Sequence, residues 1–348
     1  MATFIERKGR VQAVIRRAGY PTQSKTHDTK SEAEIWARGI EADMDRGLFV
    51  DRSLAERETL KDVIDHYLKH ETPKHKGEQA EKLRLEKFKR DEHKLCAHAM
   101  ANLRTVQFEK YRDKRLNGDE KTGKGKVKPG TVKRELNLMH SVIEFSRRRL
   151  ALLENPLSNV KRPHVRDERI RRFQPGEEQR LMDALDQCRN EFIKSAVIVA
   201  LDTSMRRGEL LSLKWDDVDF AEEEAKLHDT KNGEHRDVPL PEAALTELIK
   251  LKKKRDESKV TTMDRRVFPI SAESLKNAFE RARARANMKD FNFHDLRHEA
   301  ISRLFEAGFD QQLVKEYSGH KDMQSLSRYV NLKAGDLARM INKANKRL

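Results

Sequence analysis

The sequence predicts a mainly α protein with small β-sheets, an α+β chain. Apolar residues recur at helical three- and four-residue steps through most of the chain. Strand patterns are read near the N-terminus and on either side of the Asn232-Gly233 turn. No apolar run approaches membrane length, and the N-terminus lacks one of signal-peptide length. The 348 residues suffice for two or three domains. Charged residues are 38% and hydrophobic residues 36%, a composition for helical domains with charged surfaces. Lys plus Arg number 73 against 58 Asp plus Glu, a formal charge of +15. Such a balance favours a polyanionic partner, most simply nucleic acid, although a surface rich in solvated lysines would carry the same charge. Cys96 and Cys188 have no paired spacing, so neither a disulfide framework nor a zinc site is expected, and a reducing cytoplasm suits the chain.

In residues 1–50, Arg10 to Arg16 reads as a strand that Thr3 to Glu6 and Gln23 to His27 flank, with turns at Gly9, Gly19 and Pro21. Ser31 as N-cap with Glu34 forms a capping box, Trp36, Ile40 and Met44 share a helix face, and Gly47 ends it. A three-stranded sheet on one helix is the expected unit. It carries Lys8, Arg10, Arg16, Arg17 and Lys25, and a small basic sheet fits a DNA groove.

Residues 54–160 show helical stripes without strand patterns. Leu60, Val63, Ile64 and Tyr67 form one, Leu85 and Phe88 another, then Phe108 and Tyr111, then Val132, Leu136, Met139 and Ile143. An all-α domain follows. Lys121 to Gly130 reads as a polar loop, and Lys161 to Arg172 as a basic linker suited to a DNA backbone.

Residues 168–348 mix both patterns. Pro175 opens a helix, and Phe192 to Leu201 is apolar enough to be a buried one. Arg206 starts a short helix with Glu209 three residues on. Ala225 to Asp229 and Glu234 to Leu240 read as strands joined at Asn232-Gly233, with Lys231 at the tip. Helices over 242–254 and 272–286 follow, the second with Arg281, Arg283 and Arg285 on its polar face. His294, Arg297, His320 and Tyr329 then fall within a short span. Arginine forks grip phosphate, histidine moves protons near neutral pH, and tyrosine serves as a covalent nucleophile. Together they point to chemistry on a phosphodiester.

Thr203-Ser204-Met205-Arg206-Arg207-Gly208-Glu209-Leu210, Lys231 on a hairpin, His294-x-x-Arg297, Gly319-His320 and a tyrosine nine residues later resemble the tyrosine recombinase, or phage integrase, family. Asn155-Pro156 ahead of the linker matches too. The resemblance covers nearly all of 170–330. Serine replaces the glycine usual at 204 and the leucine usual at 318.

The resemblance implies an arm-type DNA-binding domain over 1–50, a helical core-binding domain over 54–160 and a catalytic domain over 168–348 with a C-terminal helix. It implies that Tyr329 attacks the scissile phosphate and forms a 3′-phosphotyrosyl bond. Arg206 and Arg297 would clamp the non-bridging oxygens, Lys231 would protonate the leaving 5′-oxygen, His294 would assist proton transfer at the tyrosine, and His320 would hydrogen-bond the phosphate. Glu209 would orient the first box. No metal and no nucleotide cofactor is implied. The implied partners are double-stranded DNA at core-type and arm-type sites, three further protomers in a tetramer, and accessory DNA-bending or directionality proteins. The implied setting is the bacterial cytoplasm. Tyr317, beside Leu313 and Val314, reads as a core residue instead. Integration or excision of a mobile element is the leading function. DNA inversion, dimer resolution, a type IB topoisomerase and a catalytically idle regulator are the alternatives.

Overall fold

The computed structural model describes residues 2–118, 123, 125–165, 171–228, 235–257, 264–329 and 342. The chain divides into two compact units, Met1–Arg166 and Asp167–Leu348.

The first unit begins with antiparallel strands β1 (Ala2–Arg7), β2 (Arg10–Ile15) and β3 (Gln23–His27), in sheet order β1-β2-β3. Lys8 and Gly9 both take positive φ in the β1–β2 turn, which matches the right-handed strand twist. Helix α1 (Lys30–Asp45) packs on β2, so Val11, Ala13 and Ile15 meet Ala33, Ala37 and Met44. Its N-cap is Thr29, whose hydroxyl accepts from Glu32 N at 3.3 Å, rather than Ser31. Chain entry two residues earlier leaves Ser31 inside the first turn.

The helices of the first unit are α2 (Ser53–Arg57), α3 (Leu60–His70), α4 (Glu78–Asp91), α5 (His93–Cys96), α6 (Thr105–Asn117) and α7 (Pro129–Arg147). They bury a cluster of their own that includes Leu60, Ile64, Phe108, Leu136 and Ile143. Glu135 of α7 takes hydrogen bonds from Tyr111 and Arg115 of α6, fixing that pair across the core edge. The loop expected through Gly130 is shorter than that, because Pro129 opens α7 at a position where its missing N–H costs nothing. Within that loop, 121, 122 and 124 lie outside the described residues. Asn155 is buried, donating to His140 O and accepting from Leu157 N, so it is a turn anchor.

The second unit orders α8 (Glu177–Asp186), α9 (Phe192–Thr203), α10 (Arg207–Ser212), β4 (Val218–Asp219), β5 (Glu224–Leu227), β6 (Arg236–Pro239), α11 (Glu242–Glu257), α12 (Ala272–Arg285), α13 (Phe293–Ala307) and α14 (Gln311–Ser318). A 3-10 segment, Gln324–Tyr329, follows. Apolar on nearly every face, α9 is the central helix and packs against α11 and α13. Its buried Ile193, Val197 and Leu201 each contribute about 1.5–3 kcal/mol by leaving water. At its end, Asp202 caps α11 by accepting from Ala244 N at 2.9 Å.

Three sequence readings change here. Pro175 lies in a turn, and Gly176, at φ +76°, delays the helix to Glu177. A short strand, β4, extends the expected hairpin to three strands. Of the arginines on α12, Arg283 donates to the carbonyls of Lys289 and Phe291, and Arg285 to Ala184 O, so both serve the fold. The expected C-terminal helix through Leu332, Leu337, Met340 and Ile341 lies outside the described residues.

Candidate active site

The site is assembled where the ends of α9, α13 and α14 meet the start of α10. A tight turn after α9 delivers Arg206. Ser204 holds φ 55°, ψ 16° there, a left-handed conformation that favours glycine. Arg206 is then the N-cap of α10, and Glu209 reaches back to it, accepting from Arg206 N at 2.9 Å and from the guanidinium at 2.7 Å. Burial alone would raise the Glu209 carboxyl; the charge of Arg236 and the hydrogen bonds from Arg206 outweigh it, and the group stays below its ordinary value.

Two guanidiniums converge on one turn. Arg206 donates to Gly319 O at 3.0 Å, and Arg297 donates to Ser318 O at 2.6 Å. The second fork of Arg297 reaches Ser204 O, also at 2.6 Å. Arg297 is 3% exposed, and burial followed by the Arg206 charge pulls it down to about 9, which leaves it a cation at neutral pH. Two guanidinium cations on adjacent carbonyls, Arg297 buried and Arg206 partly exposed, can receive an oxyanion.

His320 completes the turn. Ser318 Oγ lies 2.6 Å from Val314 O and 2.6 Å from His320 Nδ1. The carbonyl has no proton, so the hydroxyl donates to it and accepts from Nδ1–H. That network assigns the proton to Nδ1 and leaves Nε2 for a ligand. Burial, then the Arg297 and Arg206 charges, lowers His320 to about 3, so the ring is neutral without DNA. An arriving phosphate would offset those charges and favour the imidazolium, which can donate from Nε2.

Tyr329 ends the 3-10 segment. It is buried among Ile301, Phe305, Val314 and Leu326, and its hydroxyl meets His298 Nδ1. His294 is exposed and lies edge-on to His298, with ring centroids 4.9 Å apart.

Residues 171–335 match the phage integrase family. A shufflon-specific DNA recombinase of Escherichia coli is 36% identical over 282 residues, 80% of this chain and 70% of that protein. This chain belongs to the phage integrase family. It is a tyrosine-type site-specific recombinase, an enzyme that breaks and rejoins DNA. The integrase of Salmonella phage P22 is 28% identical over 222 residues, 60% of this chain and 56% of that protein. The fold is shared with lambda integrase, solved as a tetramer bound to a Holliday junction (TM-score 0.61, 17% identity, 92% of this chain and 95% of that one). It is also shared with the Tn1549 transposon integrase in complex with a circular intermediate DNA (TM-score 0.64, 16% identity, 82% of this chain and 99% of that one).

In this recombinase the structure brings together Arg206, Glu209, Arg297, His320 and Tyr329, with His294 next to His298. Lys231 lies outside the described residues. Tyr317 donates its hydroxyl to Asp202 O, and burial raises it well above the ordinary tyrosine value, which makes it a poor nucleophile. Sequence reasoning gave no role to His298 or Arg236. His298 stands directly after the His-x-x-Arg motif, but nothing local to the motif pairs it with a tyrosine 31 residues away. Lys8, Arg10, Arg16, Arg17 and Lys25 are all exposed on the N-terminal sheet or its turns. Arg10 pairs with Asp28, and Arg17 with Asp45.

Proposed function

We propose that Tyr329 cleaves one DNA strand by attacking the scissile phosphate. Its oxygen forms the bond to phosphorus, the bond to the 5′-oxygen breaks, and the product is a 3′-phosphotyrosyl enzyme with a free 5′-hydroxyl. The observation that carries this reading is the pair of guanidiniums, Arg206 and Arg297, fixed on consecutive carbonyls of the Ser318–Gly319 turn beside Tyr329. In that reading they bind the non-bridging oxygens and stabilise the charge of the transition state. His298 takes the tyrosine proton, a task the sequence suggested for His294, which supports it from behind. Lys231 protonates the leaving oxygen, and His320 donates to the phosphate from Nε2. Attack by the 5′-hydroxyl of another strand reverses the step and joins the new partner, so no external energy is needed.

The reading extends to a layout of three parts, with 1–50 on arm-type sites, 54–160 on the core site and 168–348 at the scissile bond, and to four protomers in the bacterial cytoplasm with accessory DNA-bending proteins. Integration or excision of a mobile element is the leading activity; the separate basic N-terminal sheet supports it. Inversion is the second reading, favoured by the 36% identity to a shufflon-specific recombinase.

A nicked suicide duplex tests the chemistry. The protein should trap a covalent complex, Y329F none, and Y317F nearly as much as the unaltered protein. Adduct formation by Y329F would end the assignment. Paired sites in direct and inverted orientation then separate excision from inversion.

A further inference from the structure

Arg236 opens β6, five residues after Lys231, and no role follows for it from the sequence. Its side chain is 13% exposed and touches three parts of the site. One terminal nitrogen donates to Glu209 Oε2 at 2.7 Å, and the other donates to Tyr317 O at 2.8 Å. The stem lies against Gly319 so closely that a β-carbon there would stand 2.7 Å from Arg236 Cδ and Nε. Gly319 also holds φ +65°, so two independent constraints demand glycine. Nε is buried without an acceptor, and the guanidinium is held despite that unmade bond.

These contacts close a ring. Arg236 grips Glu209; Glu209 grips Arg206; Arg206 donates to Gly319 O; Gly319 packs on Arg236. The Glu209 carboxylate is 4% exposed and shared by two guanidiniums. With Arg236 removed, Glu209 would face Arg206 alone and the turn bearing His320 would lose its backing.

We propose that Arg236 is a positioning residue for strand cleavage, holding Arg206 and the Ser318–His320 turn in the geometry that grips the scissile phosphate. It does so by linking the β6 strand to Glu209 and to Gly319. A lysine cannot replace it, because the contacts need a planar fork. The proposal rests on the reading of Arg206 as a phosphate clamp.

The test compares R236A, R236K and R206A in the full chain, by single-turnover cleavage of a nicked duplex carrying the sequence the protein protects. One substrate has an ordinary scissile phosphodiester, the other a methylphosphonate, whose neutral centre needs less cationic stabilisation. R236A is expected to cleave the phosphodiester on the order of 100-fold more slowly, the usual consequence of a misplaced catalytic group, with DNA affinity within about twofold. R236K should recover little. On the methylphosphonate the deficits of R236A and R206A should shrink together, which a general loss of folding would not produce. Cleavage of the phosphodiester by R236A within about threefold of the unaltered protein overturns the proposal. So does a deficit of R236A that persists on the methylphosphonate while that of R206A shrinks. If R236A does not fold, R236K with an unchanged melting midpoint decides: slow cleavage supports the proposal and normal cleavage overturns it. A normal rate for R206A would instead remove the clamp reading itself.

Discussion

Ser204 combines two costs at one residue. An L-residue in the left-handed region loses about 1–2 kcal/mol relative to glycine. Its Oγ is also buried with no partner. Its carbonyl nonetheless anchors Arg297, so the strain lies beside the group it orients. S204G should relieve both costs, offset by about 0.5–1 kcal/mol of extra unfolded-state entropy. A net gain of about 1 kcal/mol is expected, seen as a melting midpoint higher by roughly 2–4 °C in a thermal scan. Cleavage should persist, because a backbone carbonyl survives the change. An unchanged or lower midpoint would show that the hydroxyl is useful. The departure from the family pattern at 204 was visible in sequence; its conformation was not, since φ is set by how α9 ends and α10 begins.

At the scale of elements, α13 is held by charge as well as by packing. Glu299 lies on the helix that carries Arg297 and His298, and it is 3% exposed. It accepts from Arg172 at 2.9 and 3.0 Å, from Phe173 N at 3.1 Å and from Arg303 at 2.9 Å. Arg172 also pairs with Glu306, and Arg171 with Glu177 and Asp290. The last two arginines of the expected linker are therefore anchors of the second unit, while 166–170 lie outside the described residues. Arg172 and Arg303 stay partly exposed and keep Glu306 and Glu178, so losing the Glu299 hydrogen bonds should cost about 1.5–3 kcal/mol, and E299A should lower the urea midpoint. Burial would raise Glu299, but Arg172 outweighs it and holds the carboxyl below its usual 4.5. A carboxyl lowered on folding stabilises the protein above 4.5 and loses that contribution as pH falls through the folded value. The stability of E299A should accordingly vary less with pH below 4.5 than that of the unaltered protein.

For the whole molecule, the charge of +15 makes a measurable statement about DNA binding. Each phosphate contact adds about 0.9 to the steepness with which affinity falls with salt on a log–log plot. Arg10 is exposed on β2 of the N-terminal sheet, Lys8 in the turn before it and Arg16 just past its end. If that sheet engages arm-type DNA, deleting residues 1–50 should reduce the salt slope by about 3 and erase a second footprint apart from the core site. An unchanged slope with a single footprint would favour the inversion reading. Among the described residues, no helix is long and apolar enough to cross a membrane.

The sequence by itself determined the element types, most of their order and the candidates for phosphate handling. Helical periodicity and turn chemistry are local, and Arg206, His294, Arg297, His320 and Tyr329 lie in motifs with fixed spacing. Only the tertiary structure decided who touches whom. Tyr329 meets His298, Ser318 sets the His320 tautomer, and Arg236 reaches Glu209 and Tyr317, 27 and 81 residues away. Those pairings depend on where α9, α13, α14 and β6 end relative to one another. Packing fixes those ends, and no window of sequence contains them.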